Sequence, residues 1–156
     1  MKAVEKKTYI AVIGRSECST EEARLAETVG AGLAAKGAVL VCGGLGGIME
    51  ASARGAKMAG GTTLGILPGF DRRGANAYLD YSVCTGLNEA RNFAIVMTSD
   101  GLIALPGEFG TLSEISFALK YNKPVVSLKS WAVSDRIIQV DTPEEAVERI
   151  FAEVKR

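Results

Sequence analysis

The chain has 156 residues, with 18 lysines and arginines against 18 aspartates and glutamates, and it contains no histidine. That length suits a single α/β domain over residues 1–156, and the balanced charge supplies no general attraction for nucleic acid or an anionic membrane. The missing histidine excludes Ser-His-Asp and Cys-His catalysis, histidine-bound zinc and a histidine proton shuttle, so acid–base work falls to carboxylates, tyrosine, lysine or ordered water. Cys18, Cys42 and Cys84 are odd in number and far apart, which reads as reduced thiols; neither a disulfide framework nor a metal site is expected. No apolar run reaches bilayer length and Met1 to Lys7 holds no signal-peptide core, so the expectation is a cytoplasmic protein.

Residues 9–13 are a compact apolar strand ending at Gly14. Ser19-Thr20-Glu21-Glu22 has the form of a capping box and opens a helix to about Lys36, with Gly37 as its stop. Residues 38–41 make a second strand, and Gly43-Gly44-Leu45-Gly46-Gly47 turns into a helix from Ile48 that Gly60-Gly61 ends. Residues 62–67 are a third strand, residues 68–77 a polar exposed loop, and residues 81–84 a short edge strand. A helix over residues 88–98 precedes an apolar strand at 101–105 and a helix at 111–121. Lys123-Pro124 leads into a strand at 125–128, and residues 136–140 form the last strand. Thr142-Pro143-Glu144-Glu145 is a helix start, with a cap, proline at the first position and glutamate at the third. Short apolar strands alternating with amphipathic helices predict a Rossmann-like, doubly wound, mostly parallel sheet with helices on both faces. Ligands of such sheets bind at the carboxyl ends of the strands, where residues 14–19, 43–47 and 106–111 fall.

The stretch Leu105-Pro106-Gly107-Glu108-Phe109-Gly110-Thr111 carries the strongest chemical signal. A glycine-containing turn from strand to helix leaves backbone N–H groups unpaired, at the positive end of the helix dipole, and so makes an anion site. Thr111 adds a hydroxyl, and Glu114 shares its helix face three residues on. Arg91 heads an apolar segment, Phe93-Ala94-Ile95-Val96-Met97, and a buried guanidinium there needs an anionic partner, either a ligand phosphate or Glu114. The alternative is a solvated arginine paired with Glu89. From the other two loops, Gly14, Arg15 and Ser16, and Gly43, Gly44 and Gly46, are candidate ligand contacts. The glycine cluster matches neither the Walker pattern nor the full dinucleotide fingerprint.

Taken in order, Cys42-Gly43-Gly44-Leu45-Gly46-Gly47-Ile48-Met49, the Arg91 segment and Pro106-Gly107-x-x-Gly110-Thr111-x-x-Glu114 resemble the LOG-like superfamily over nearly the whole chain. That group contains cytokinin-riboside-monophosphate phosphoribohydrolases, proteins once labelled lysine decarboxylases, and molybdenum-cofactor carrier proteins. The resemblance implies phosphate binding at Gly107, Gly110 and Thr111, and places the family's catalytic arginine and glutamate on Arg91 and Glu114. Two residues depart from the pattern. Glu108 stands where the phosphoribohydrolase motif PGGxGTxxE has its second glycine, and Asn92 where a basic residue usually follows the arginine. The short chain, Glu89-Ala90-Arg91-Asn92 and Pro143-Glu144-Glu145-Ala146 look more like the small carrier branch.

Two functions follow as expectations. One is a protein that binds a phosphorylated small molecule, either a nucleotide or a molybdopterin-type cofactor, and carries it. The other is an enzyme that hydrolyses the N-glycosidic bond of a nucleoside 5′-monophosphate and requires no cofactor. The apolar segment 93–97 adds the expectation of a homo-oligomer.

Overall fold

Each strand segment is apolar on both of its alternating sets of side chains, which is stable only where both sheet faces are covered. The structure, a computed structural model, describes residues 1 and 3–154. Its strands are β1 (Tyr9–Ile13), β2 (Val39–Cys42), β3 (Thr62–Leu67), β4 (Tyr81–Cys84), β5 (Gly101–Ala104), β6 (Val125–Leu128) and β7 (Ile138–Val140). Its helices are α1 (Thr20–Ala35), α2 (Ile48–Met58), α3 (Arg91–Thr98), α4 (Phe109–Lys120) and α5 (Pro143–Val154). A single 3-10 turn, Asn88–Ala90, leads into α3. Among the described residues, no helix is long and apolar enough to cross a membrane.

The strands form one sheet in the order β4-β3-β2-β1-β5-β6-β7, with every neighbouring pair parallel. This is the Rossmann-like architecture expected from the sequence. Side chains alternate between the two layers. Ile10, Val12, Leu40 and Ile103 join the core under α1, α2 and α5, whereas Ala11, Ile13, Val41 and Leu102 join the core under α3 and α4. The chain winds outward from β1 through β2 and β3 to β4, then returns to lay β5 on the opposite side of β1. The order therefore reverses between β1 and β5, and a crevice opens at their carboxyl ends.

Local chemistry sets the element ends. Ser19 Oγ accepts from the Glu22 N–H at 3.1 Å, and the Glu22 carboxylate accepts from the Ser19 N–H at 3.0 Å, so the expected capping box closes. Thr142 Oγ1 accepts from the Glu145 N–H at 3.2 Å at the start of α5. α4 begins at Phe109, two residues ahead of the expected start, because Glu108 supplies the carbonyl for the Leu112 N–H at 3.0 Å. β7 holds three residues rather than five, since residues ahead of Ile138 belong to a turn in which the Ile137 N–H bonds the Ser134 carbonyl at 3.2 Å.

α1 and α2 touch backbone to backbone. A Cβ on Gly30 would lie 2.0 Å from the Ser52 carbonyl oxygen, and one on Gly55 would lie 2.1 Å from that of Glu27. A helical Gly→Ala change ordinarily stabilises by roughly 0.5–1 kcal/mol. Here the sign reverses, because the added methyl meets a carbonyl that cannot rotate away. Gly30→Ala is expected to cost about 1–3 kcal/mol, measured by urea unfolding. Gly32→Ala, whose Cβ would meet only the Val147 side chain at 2.9 Å, is expected to cost less.

Candidate functional site

Three backbone hydrogen bonds fasten the loops at the β1–β5 crevice. The Leu105 N–H donates to the Ile13 carbonyl at 2.9 Å, the Arg15 N–H to Pro106 at 3.0 Å, and the Ile48 N–H to Arg15 at 3.0 Å. Together they enclose a cavity of about 490 Å3. Gly14, Arg15 and Ser16 line it from the β1 loop, Gly43 from the β2 loop, and Gly110, Thr111 and Glu114 from α4, with Arg91 from α3. Three sequence candidates lie elsewhere. A Cβ on Gly44 would run into Leu67 at 2.6 Å, and one on Gly46 would approach the Ser16 carbonyl at 3.1 Å, so these two glycines serve loop packing. Gly107 lines a neighbouring cavity instead. A Cβ there would sit 1.9 Å from Thr111 Oγ1, so this glycine leaves room for the Thr111 side chain.

At the start of α4, the first intrahelical bond is that of the Leu112 N–H. The N–H groups of residues 109–111 precede it and have no carbonyl within the helix. Among the described residues no side chain caps this end, and the exposed Glu108 stands on the cavity wall beside it. Thr111 is buried to 4 % exposure and its hydroxyl makes no hydrogen bond among the described residues. The helix thus presents unpaired donors, with its positive dipole end, to the cavity.

Arg91 is only 8 % exposed. It pairs with neither Glu89 nor Glu114 directly; Nη2 donates to the Gly43 carbonyl at 3.3 Å and Nη1 donates to Asn92 Oδ1. The guanidinium reaches across to the β2 loop and takes two neutral acceptors, with the Glu114 carboxyl near enough to act on its charge but not hydrogen-bonded to it. A Cβ on Gly43 would lie 2.6 Å from Met49 Sδ and 2.7 Å from Nη2, so a side chain there would displace both from their present places. Nε is buried and has no partner among the described residues. Burial draws the Arg91 pKa down, and the nearby Glu114 charge works against that shift. Asn92 ties this arrangement to α4, as Nδ2 donates to Ser113 Oγ at 3.1 Å and to the Gly110 carbonyl at 3.5 Å.

Glu114 is 6 % exposed and makes no hydrogen bond among the described residues. Burial pushes its pKa up from 4.5 to about 8, with Arg91 pulling the other way. The carboxyl is therefore mostly protonated at neutral pH and presents a donor as well as an acceptor. Cys42, fully buried beside this region, is pushed up to about 11 by burial and stays an inert thiol.

In the sequence Asn92 stands out only through the family comparison, as a departure from the hydrolase pattern and part of the carrier-like segment, yet it is the link between Arg91 and the α4 turn. Its burial at 5 % exposure follows from its place beside Arg91 on α3, a face that the apolar pattern of residues 93–97 does not reveal. Asn88, Glu17 and Glu89 also line the cavity. Asn88 takes a left-handed backbone at φ 50°, which asparagine tolerates better than most residues and which no local motif announces.

The model of the SLOG cluster4 family matches residues 7–154. The structure is similar to that of the molybdenum cofactor binding protein of Rippkaea orientalis, with a TM-score of 0.91 and 33% identity, covering 97% of this chain and 99% of that one. It is also similar to the molybdenum cofactor carrier protein of Chlamydomonas reinhardtii, with a TM-score of 0.86 and 28% identity, covering 97% and 100%. In sequence, a cytokinin riboside 5′-monophosphate phosphoribohydrolase of Mycobacterium tuberculosis is 33% identical over 130 residues, covering 77% of this chain and 69% of its own.

The raised Glu114 pKa has a consequence for stability. Between 4.5 and about 8 the folded protein holds a proton there that the unfolded chain has lost. This contribution is complete below 4.5 and is lost as pH rises through about 8. The thermal midpoint of the ligand-free protein should carry a downward component over that window, on the order of a few kcal/mol in stability. Glu114→Gln, which cannot ionise, should remove that component; parallel pH profiles for the two proteins would show that Glu114 is not held neutral.

Proposed function

The chain belongs to the SLOG cluster4 family, and on that premise we propose that it binds a phosphorylated small molecule of the molybdopterin-cofactor type and carries it without converting it. The observation that carries this reading is the company kept by the α4 start: unpaired N–H groups, a free Thr111 hydroxyl and the Arg91 guanidinium on the same cavity wall. An oxyanion accepts from such groups without rearranging them. Glu114, being mostly protonated, adds a donor where an ionised carboxylate would repel a phosphate. The donor set fits a phosphate-bearing cargo, held at residues 110–111 and steadied by Arg91. The neighbouring proteins of Rippkaea and Chlamydomonas, described as binding or carrying molybdenum cofactor, support the same cargo class.

The Mycobacterium relative supports a second reading, hydrolysis of a nucleoside 5′-monophosphate at its N-glycosidic bond, with Arg91 and Glu114 as the reacting pair and no cofactor required. That chemistry uses a negative carboxylate to stabilise positive charge developing at the sugar carbon. Burial holds Glu114 toward its neutral form, and the molybdenum-cofactor proteins match over nearly the whole chain while the hydrolase matches 77% of it, which is why carrying is preferred over cleavage. A single-domain, cytoplasmic protein is part of the same proposal. So is self-association, supported by the aromatic cluster of Phe93, Phe117 and Tyr121 on the outer side of α3 and α4, where Phe93 is 37% and Tyr121 48% exposed.

Native mass spectrometry of freshly purified protein is expected to show a retained pterin phosphate, and no nucleoside monophosphate should release free base. Arg91→Ala should weaken retention by roughly tenfold or more, the equivalent of one charge-assisted contact. Base release by the wild type that Glu114→Gln abolishes would overturn the carrier reading in favour of the hydrolase. A further expectation concerns the α4 turn itself. Glu108→Gly removes a negative charge from its mouth, so inorganic phosphate should bind more tightly; equal affinity, by calorimetry, would mean that Glu108 plays no part in selecting the ligand.

A further inference from the structure

Four buried side-chain polar atoms lack a hydrogen-bond partner among the described residues: Arg15 Nε, Arg91 Nε, Ser130 Oγ and Trp131 Nε1. Arg91 belongs to the cavity already described. The other three residues all line a second cavity, of about 330 Å3, between the turn that follows β5 and the loop that follows β6. Buried polar groups are normally paired, so three unpartnered ones among the residues around one cavity set it apart from the rest of the surface.

The wall chemistry defines that group. Arg15 and Lys129 bring positive charge, and no acidic side chain lines the cavity. The Arg15 guanidinium and the Lys129 ammonium, 39% and 53% exposed, only donate, so the visitor must be rich in acceptors. The acids that face the two cations stand outside the cavity. Glu22 lies 3.9 Å from Arg15 Nη1, and Glu21 lies 3.2 Å from Lys129 Nζ, and the second pair is well exposed. Such pairs are weak and exchange readily for a better anion. The Trp131 ring, 6.1 Å from the Phe109 ring, gives the cavity an aromatic side.

The wall is also held in place. The Ser130 N–H donates to Ser127 Oγ at 3.2 Å, Gln139 Nε2 donates to the Trp131 carbonyl at 3.4 Å, and the Arg15 N–H is fixed on Pro106. Both loops leave the carboxyl ends of adjacent parallel strands, the edge at which α/β sheets take ligands. Of the residues that line the first cavity, this one shares only Arg15.

We propose that the Trp131 cavity is a second binding site, selective for oxyanions of the phosphate class and separate from the cavity at the start of α4. It takes either a free oxyanion or the second anionic group of a longer ligand, and it stands whether or not the first cavity carries a pterin.

Trp131 is the one tryptophan in the chain, so its fluorescence reports on this cavity directly. Inorganic phosphate and pyrophosphate, titrated separately into the full-length protein, should each change its emission saturably, while chloride at matched ionic strength should not. Lys129→Gln and Arg15→Gln should each weaken that response by roughly tenfold. Arg91→Ala, which alters only the first cavity, should leave it within about twofold. A stronger response to pyrophosphate than to phosphate would favour the longer ligand, and equal responses the free oxyanion. The proposal is overturned by the absence of saturable change, by a response that survives both Lys129→Gln and Arg15→Gln, or by one that Arg91→Ala abolishes as fully as they do. Because co-purification tests the first cavity, failure here leaves that reading standing.

Discussion

The site rests on one buried guanidinium. Taking the Arg91 side chain out of water is costly unless its hydrogen-bonding groups find acceptors. The protein supplies two: a carbonyl from the β2 loop and an amide oxygen from the next residue. Each acceptor constrains something else. The carbonyl fixes Gly43 as a residue without a side chain, and the amide, through its other end, fixes the first turn of α4. Arg91 thereby joins three loops that are distant in sequence, while its buried Nε has no partner among the described residues.

The sheet order makes that meeting necessary. With β1 in the middle and the chain reversing direction of travel across it, the loops after β1 and β5 part to opposite layers. α2 packs with α1 in one layer while α3 and α4 occupy the other. Arg91, from the second layer, reaches the loop that leads into the first. The Arg15 N–H bond to Pro106 and the Ile48 N–H bond to Arg15 stop the crevice from opening further. Anchored backbone of this kind costs little to reorganise when a ligand arrives, which is how a helix start becomes a useful anion site.

Much of this was legible in the sequence because it depends on local or periodic signals. The uninterrupted apolar strands, the Ser19 capping box and the Thr142 cap each declare themselves within a few residues, and the structure contains all of them. The convergence of the loops after β1, β2 and β5 followed from the fold class alone. What the sequence did not disclose depends on distances across the fold. The direct hydrogen bonds of Arg91 go to neutral acceptors that its sequence neighbourhood does not disclose, because only the three-dimensional path brings the Gly43 carbonyl within 3.3 Å. The glycines of the β2 loop look alike in the sequence, but Gly43 makes room for Arg91 while Gly44 makes room for Leu67. Trp131 and Ser130 carried no motif at all, since their loop matters only through its position beside the turn after β5.

Net charge, zero for the whole chain, says little about what the first cavity attracts, because burial weights the charges unequally. Glu17, Glu89 and Glu108 stand on its exposed parts, where water reduces a unit-charge interaction at 4 Å to about 1 kcal/mol and salt screens it further. Arg91 lies in the buried part, where the same interaction reaches roughly 4 kcal/mol at an effective dielectric constant of about 20. Glu114, equally buried, would cancel that advantage if ionised, but the desolvation that strengthens Arg91 also holds Glu114 toward its neutral form. One physical cause thus raises the worth of the cation and suppresses the competing anion. The buried wall is positive despite an acidic mouth, an arrangement suited to a ligand that is anionic at the end it inserts and rich in hydrogen-bond donors at the end it leaves outside.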